Sequence, residues 1–296
     1  MTHAIAVDGL RYRAGRAFEI RDLTLRVPQG AIYGFLGPNG SGKTTTIRLI
    51  LGLLRPLAGT IRVLERDVPR DIVPVLARTG YVPEQPHLDV TLTVDEAVRF
   101  HAAFYPTWDQ AWAARLLNDF ELDATRPVGK LSKGQRGKLM MLLALAQRPE
   151  LLMLDEPTDG LDPVVRRDML AALLDYVAQR GATVFVSSHL IHELERICDW
   201  VAVMDRGALV SELPMQEFKG GIKRLRVAGA PPQLTGLPFS LLSRVPNGTT
   251  EAWVVSGWRP EMAGYFDVGP IALREVVDLD LEEGFVELLR AARRPA

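Results

Sequence analysis

The sequence predicts an α/β fold. A largely parallel sheet carries a phosphate-binding loop, half-exposed antiparallel strands precede it, a helical insert interrupts it, and a small α+β appendage follows. Three observations lead to this reading. The loop Gly37-Pro38-Asn39-Gly40-Ser41-Gly42-Lys43-Thr44-Thr45 matches G-x-x-x-x-G-K-[ST] and lies between an apolar run, Ala31–Leu36, and a helical stretch, Thr45–Leu54. The run Leu151–Leu154 is apolar throughout, as a strand buried on both faces requires, and it ends in Asp155-Glu156-Pro157. A second run, Thr183–Ser188, ends in His189.

Composition sets the bounds. With 296 residues the chain can form one large domain or two smaller ones, each with its own core. Its apolar fraction of 47% and charged fraction of 24% are ordinary for a globular protein. A formal net charge of −1 gives no electrostatic case for nucleic acid or an anionic membrane. The single cysteine, Cys198, excludes an intrachain disulfide framework and a Cys-based zinc site, and it suits a reducing compartment. No apolar run approaches the ~18 residues needed to span a bilayer. The richest, Leu139–Ala146, is short and flanked by Lys138 and Arg148. The N-terminal stretch lacks a basic region followed by an apolar core, so a cytoplasmic location without a signal peptide is expected.

Taken in order, residues 4–10 and 18–27 alternate polar and apolar, the second run in particular, as in half-exposed antiparallel strands. Between them Arg11–Arg16 reads as a polar turn, and its Tyr12 can either stack on a nucleotide base or pack at the strand end. In the phosphate loop three glycines let the backbone approach an anion, Lys43 can reach terminal phosphates, and the Thr44 hydroxyl can ligate Mg²⁺. The helix that follows places donors and dipole at the phosphates. Gly59–Leu64 reads as a strand and Pro69–Ala77 as a short helix broken near Pro74. Gly80–Val82 is a strand that leads into Pro83-Glu84-Gln85-Pro86. There a stiffly presented carboxylate and amide can meet a metal or its water, or can form a plain exposed loop.

From Thr91 to Gln147 the character is helical. Thr93 and Glu96 suit a capping box, Trp108–Phe120 puts Ala113, Leu116, Leu117 and Phe120 on one face, and the Trp and Phe side chains of this insert are expected in the core. Leu131-Ser132-Lys133-Gly134-Gln135 opens a long helix. Ser132 is a good N-cap and Gly134 allows an anion close to free N–H groups, although a capped helix alone accounts for the same residues. Asp155 and Glu156 end a buried strand, where α/β proteins bind ligands, and they point to opposite sides. The first can act on Mg²⁺ and the second can orient or deprotonate a water. Thr158–Pro163 is a turn into a helix that runs to Gln179. His189 is either structural or a donor to a γ-phosphate. Leu190–Cys198 reads as a helix, and Trp200–Met204 and Ala208–Leu213 as strands joined at Asp205-Arg206-Gly207. Beyond about residue 218, Gly220-Gly221, Pro231-Pro232 and Gly236-Leu237-Pro238 punctuate short strands at 224–227, 252–255 and 274–278, and a final helix covers 281–292.

These pieces together resemble the ATP-binding subunit of an ABC transporter of exporter type. The order is phosphate loop, Tyr-Val-Pro-Glu, Leu-Ser-Lys-Gly-Gln, Leu-Asp-Glu-Pro, Gly-Leu-Asp-Pro and Ser-Ser-His, over residues 4–215. The resemblance implies a P-loop NTPase of ABC type with an antiparallel β subdomain. Its ATP-binding domain spans 1–218, with a helical signature subdomain at about 88–150, and an accessory domain spans 219–296. It implies ATP and Mg²⁺ as cofactors. Tyr12 and residues 37–45 would hold the nucleotide, and Thr44, Glu84 and Asp155 the metal. Glu156 would be the general base, and His189 would hold the γ-phosphate and water in line. Leu131 to Gln135 would meet ATP bound by a facing subunit, and Asp162 would couple the two sites. The partners implied are a second ATP-binding subunit, identical or different, and a separate membrane permease docked on Glu84–Phe104. Substrate movement would run towards export, and the protein would lie peripherally on the cytoplasmic face of the cell membrane. The appendage resembles the C-terminal extension of exporter ATPases, with Leu281-Glu282-Glu283-Gly284-Phe285 as its helix.

Two positions depart from the pattern. Lys133 stands where the signature usually has Gly, which adds a cation near the facing phosphates. Glu84 stands where the loop glutamine is usual, with Gln85 one residue later, and either can serve the metal site. A soluble ABC ATPase acting on ribosomes or nucleic acid is the alternative. Its relatives carry long coiled coils, zinc modules or two cassettes, whereas only about 85 residues separate Thr45 from Leu131 here, without heptads. A regulatory module that binds ATP without useful hydrolysis is disfavoured by Glu156 and His189.

Overall fold

The computed structural model describes residues 2–15, 18–85, 87–229, 236–267 and 271–294. β1 (His3–Ala14) and β2 (Phe18–Pro28) precede β3 (Ile32–Leu36), which enters the phosphate loop and α1 (Lys43–Ile50). β4 (Ala58–Val63), β5 (Arg66–Val68), α2 (Ile72–Leu76) and β6 (Thr79–Val82) follow. The helical insert holds α3 (Val94–Ala102), α4 (Gln110–Asp119) and α5 (Lys133–Ala146). Next come β7 (Leu151–Asp155), α6 (Pro163–Arg180), β8 (Thr183–Ser188) and α7 (Ile191–Leu194). β9 (Trp200–Asp205), β10 (Ala208–Pro214) and α8 (Met215–Gly221) complete this part. The last stretch contains β11 (Lys223–Ala228), β12 (Ser240–Asn247), β13 (Thr250–Ser256), β14 (Ala272–Asp278) and α9 (Leu281–Ala292).

Three sheets result. The central sheet has the order β10-β9-β3-β8-β7-β6, parallel except for β10, which returns antiparallel beside β9. An antiparallel sheet, β2-β1-β4-β5, covers one face of it, and a second antiparallel sheet, β12-β13-β11-β14, forms the appendage. The central strands are buried on both sides and obey the two-residue pleat. Tyr33, Phe35, Leu151 and Met153 face the core shared with α1 and the first antiparallel sheet. Ile32, Leu36, Leu152 and Leu154 face the core shared with α5 and α6. Leu36 pairs with Ser188 and Asp155 pairs with Ser187, so the loops after β3, β7 and β8 emerge side by side at one edge. The appendage has an aromatic core of its own around Trp253, Trp258, Phe239 and Phe266, while Ile222, Val254, Phe285 and Leu288 continue the larger core.

The α/β class and the antiparallel subdomain are as the sequence predicts. Several local expectations are corrected. β1 runs through Tyr12 to Ala14 because it pairs with both β2 and β4, so most of the expected polar turn is strand. Its Arg16 lies outside the described residues, as do Pro86 and Pro231-Pro232. Pro74 does not break α2, since it falls in the first turn, where a missing N–H has no helical partner to lose. The helix expected over 190–198 shrinks to α7. Strands β5 and β12 escape the pattern. Phe100 and Phe104 are exposed rather than in the core, because Val94, Ala97 and Val98 take the inward face of α3.

Candidate functional site

The phosphate loop is built by exclusion of side chains. A Cβ on Gly37 would lie 2.3 Å from the Met204 carbonyl oxygen, and Gly42 at φ 116° would bring one within 2.6 Å of the Phe18 ring. Gly42 is the N-cap of α1, so that helix begins at Lys43 with its first N–H groups facing the loop. The Lys43 ammonium donates to the Gly37 carbonyl at 2.6 Å and lies 3.1 Å from Glu156 Oε1. The Ser41 hydroxyl is buried without a partner among the described residues.

Asp155 is fully buried. Its Oδ1 accepts from Thr44 Oγ1 at 3.1 Å and from Ser187 Oγ at 2.8 Å, while Oδ2 is buried with no partner among the described residues. Burial holds this carboxyl above its ordinary value, against the pull of the two hydroxyl hydrogen bonds. Glu156 sits at φ 47°, a left-handed conformation rare for a residue with a side chain. Its amide donates to Ser187 Oγ at 3.0 Å, and this second-strand anchor holds the strained turn. His189 Nδ1 lies 2.8 Å from Glu156 Oε2, which assigns the ring proton to Nδ1. His189 Nε2 lies 3.9 Å from Asp159 Oδ1. Lys43, Glu156, His189 and Asp159 thus form one polar row along a cleft of about 700 Å³. Phe18, Asn39, Thr44, Thr45 and Glu84 also line it.

The cleft gathers residues from four loops. Tyr12 and Phe18 are both half-buried against the core of the first antiparallel sheet, and among the described residues Phe18 is the aromatic that lines the cleft. In the strand pairing β1 carries Tyr12 opposite Ile20, and Phe18 begins β2 beside Gly42. Glu84 lines the cleft and Gln85 does not. Leu131, Ser132, Lys133, Gly134 and Gln135, expected at ATP held by a facing subunit, do not line it. Ser132 and Gln135 instead close a reciprocal capping box at the start of α5, with Gln135 N–H to Ser132 Oγ at 3.2 Å and Ser132 N–H to Gln135 Oε1 at 3.1 Å. The cation of Lys133 is turned to its own chain, 3.7 Å from Asp159 Oδ2. Asp162 caps α6, accepting from the Val164 and Val165 amides at 3.0 Å.

Three contributors were missed by sequence reasoning. The Ser187 hydroxyl donates to the Asp155 carboxylate and accepts from the Glu156 amide, but only the β7–β8 register reveals it. Phe18 carries no local signal. Glu193 of α7 is buried, accepts from Thr158 Oγ1 at 2.6 Å and pairs with Arg166 at 2.5 Å, tying the turn after Glu156 to the helix after His189. Among the described residues no group of three or more His, Cys, Asp and Glu side chains could hold a metal alone, and no helix is long and apolar enough to cross a membrane.

Comparison with known proteins gives a consistent result. The family model described as "ABC transporter" matches residues 20–159. The chain is 35% identical to the "Bacitracin transport ATP-binding protein BcrA" of Bacillus licheniformis, over 74% of this chain and 72% of that one. It is 38% identical to the "Nod factor export ATP-binding protein I" of Burkholderia orbicola, over 68% and 67%. A solved ATP-binding subunit of an ABC transporter superposes with a TM-score of 0.66 at 29% identity, covering 74% of this chain and 92% of that one. A dimeric ATP-binding cassette bound to ADP and Pi shares the fold, with a TM-score of 0.64 at 22% identity, covering 71% and 98%.

Proposed function

The chain belongs to the ATP-binding proteins of ABC transporters, which are ATPases, and from that premise we propose that it drives export through a separate membrane permease, working as an ATP-sandwich dimer. The observation that carries this reading is the division of labour within one chain. The cleft is lined by phosphate-loop residues with Glu156 and His189, while Ser132 and Lys133 at the start of α5 are exposed outside it. Two copies facing head to tail, or this chain with a related subunit, would complete each site with the other's helix N-terminus. The names of the bacitracin and Nod factor relatives favour transport, and the latter favours export.

In this mechanism the loop amides and Lys43 bind the β- and γ-phosphates. Glu156, displaced from Lys43 by the nucleotide, takes the proton of the attacking water. His189 holds Glu156 through Nδ1, so donation from Nε2 to the γ-phosphate requires the imidazolium form. Phe18 offers a ring face to the base. The site fits Mg²⁺: Asp155 Oδ2 is an unpartnered buried oxygen beside the Thr44 hydroxyl, with Glu84 across the cleft. A magnesium ion takes few protein carboxylates and keeps its remaining positions for water and phosphate, which suits the absence of a larger cluster among the described residues. When bound it neutralises phosphate charge. Asp162 would couple the two composite sites from the end of its turn.

The exposed Phe100 and Phe104, whose ring centroids lie 5.2 Å apart edge to face, would meet the permease and hold the protein at the cytoplasmic face of the membrane. Residues 219–296 would form the accessory domain. Copurification from detergent extracts tests the reading. A hydrophobic permease should be recovered with the chain and lost on Phe100→Asp/Phe104→Asp substitution. Recovery of ribosomes or DNA, with no membrane partner, would replace transport by the soluble alternative.

A further inference from the structure

The phosphate loop rests on the β9–β10 turn. Besides the Met204 carbonyl under Gly37, the Met204 methyl lies 2.8 Å from where a Cβ on Gly42 would stand, and Thr46 Oγ1 is 3.8 Å from the Met204 sulfur. At the other end of the turn the Gly207 amide donates to the Ser41 carbonyl at 2.8 Å, and the Gly207 carbonyl accepts from the Arg21 amide at 2.9 Å. Arg206 and Gly207 both adopt left-handed φ values, 47° and 79°, so the turn is tight. Asp205 lies in the middle of this support, and its side chain is only 5% exposed.

A buried carboxylate needs a partner. Asp205 finds it in Arg293, the residue that ends α9, with Nε donating to Oδ2 at 2.8 Å and Nη2 to Oδ1 at 2.9 Å. This two-pronged geometry fixes orientation as well as charge. Helix α9 is itself held firmly, since Phe285, Leu288 and Leu289 enter the larger core and the helix packs on α7, just after His189. The pair stands in the wall of a groove of about 1210 Å³ between β10, the appendage and α9. The mechanism above uses neither residue.

We propose that the appendage braces the phosphate loop: Arg293, by holding Asp205, sets the turn on which residues 37–46 rest and thereby sets nucleotide affinity. Arg293 is a positioning residue here, since it acts through Asp205 and the turn. The proposal rests on the phosphate-loop reading and gives the appendage a role in the ATP site itself.

Titration of the full chain with a fluorescent ADP analogue tests it. Arg293→Gln leaves a buried carboxylate unpaired and should weaken the Kd about tenfold or more. Arg293→Lys keeps the charge but not the fork and should weaken it less, by about threefold or more. Asp205→Asn in the Arg293→Gln background removes the unpaired charge and should restore part of the loss. Arg293→Gln with a lowered melting temperature but an affinity within about threefold of wild type marks a merely structural tie and overturns the brace. Should Arg293→Gln fail to fold, Arg293→Lys decides by its own threshold. Wild-type binding that Lys43→Ala abolishes is the reference. Equal binding by wild type and the Arg293 variants then overturns the brace and leaves the loop's reading standing.

Discussion

The two halves of the proposed composite ATP site are built in opposite ways. The phosphate-loop half is inside: Lys43 is 5% exposed, Asp155 is fully buried, and each is tied to a neighbouring strand or loop. The signature half is outside. Ser132 and Lys133 are exposed, and Ser132 spends its hydrogen bonds on its own helix. Low dielectric and fixed donors give the first half its chemical strength. The second half, on the proposed reading, would offer a pre-formed helix N-terminus to a facing subunit's nucleotide. A substitution in the buried half should therefore strike chemistry, and one in the exposed half should strike assembly.

The largest expected effect is in the buried half. Glu156→Gln should lower kcat by about 10²–10⁴ and leave ATP binding intact, so that the protein elutes as a dimer in Mg-ATP. Persistent monomer at saturating Mg-ATP would remove the composite site from this account. Next comes Ser132→Asp, which keeps the helix cap but sets a like charge against the facing phosphates. ATPase activity should fall about tenfold or more while a fluorescent nucleotide binds the monomer as before; equal loss of both would place Ser132 in the monomer's own site. The smallest is Lys133→Gly. Its pair with Asp159 spans 3.7 Å with both side chains well exposed, 61% and 42%, and such pairs contribute about 0–1 kcal/mol. The maximal ATPase rate should shift by no more than about fivefold, and more than the nucleotide Kd. Equal shifts in both would erase the distinction between the halves at this position.

The buried half was also the more legible one. The glycines of the loop announce a backbone that must approach an anion: Gly37 and Gly42 have contacts that forbid a side chain, and Gly40 has a positive φ. Asp155 and His189 were legible because an apolar run that ends abruptly in a polar side chain is a strand edge. The capping box of Ser132 and Gln135 was local enough to read directly. Tyr12 shows the limit. The resemblance pointed to it as the base-stacking aromatic, but nothing local marked Phe18, which begins β2 and lines the cleft. Lys133 shows another: its identity was plain, but its partner Asp159 lies 26 residues further on, in a different loop.

What the sequence by itself determined is the class of fold, the phosphate loop and the carboxylate pair, because each depends on residues adjacent in the chain. Turn glycines, apolar runs and helix caps act over a few residues, and so they are written locally. Only the tertiary structure decided that Ser187 holds the Asp155 carboxylate and the Glu156 amide, that Glu193 ties two loops together, and that Arg293 reaches Asp205. Those contacts span 31, 35 and 88 residues and follow from strand register and helix docking. Register and docking minimise the burial of unpaired charge across the whole molecule, a condition that no short stretch of chain contains.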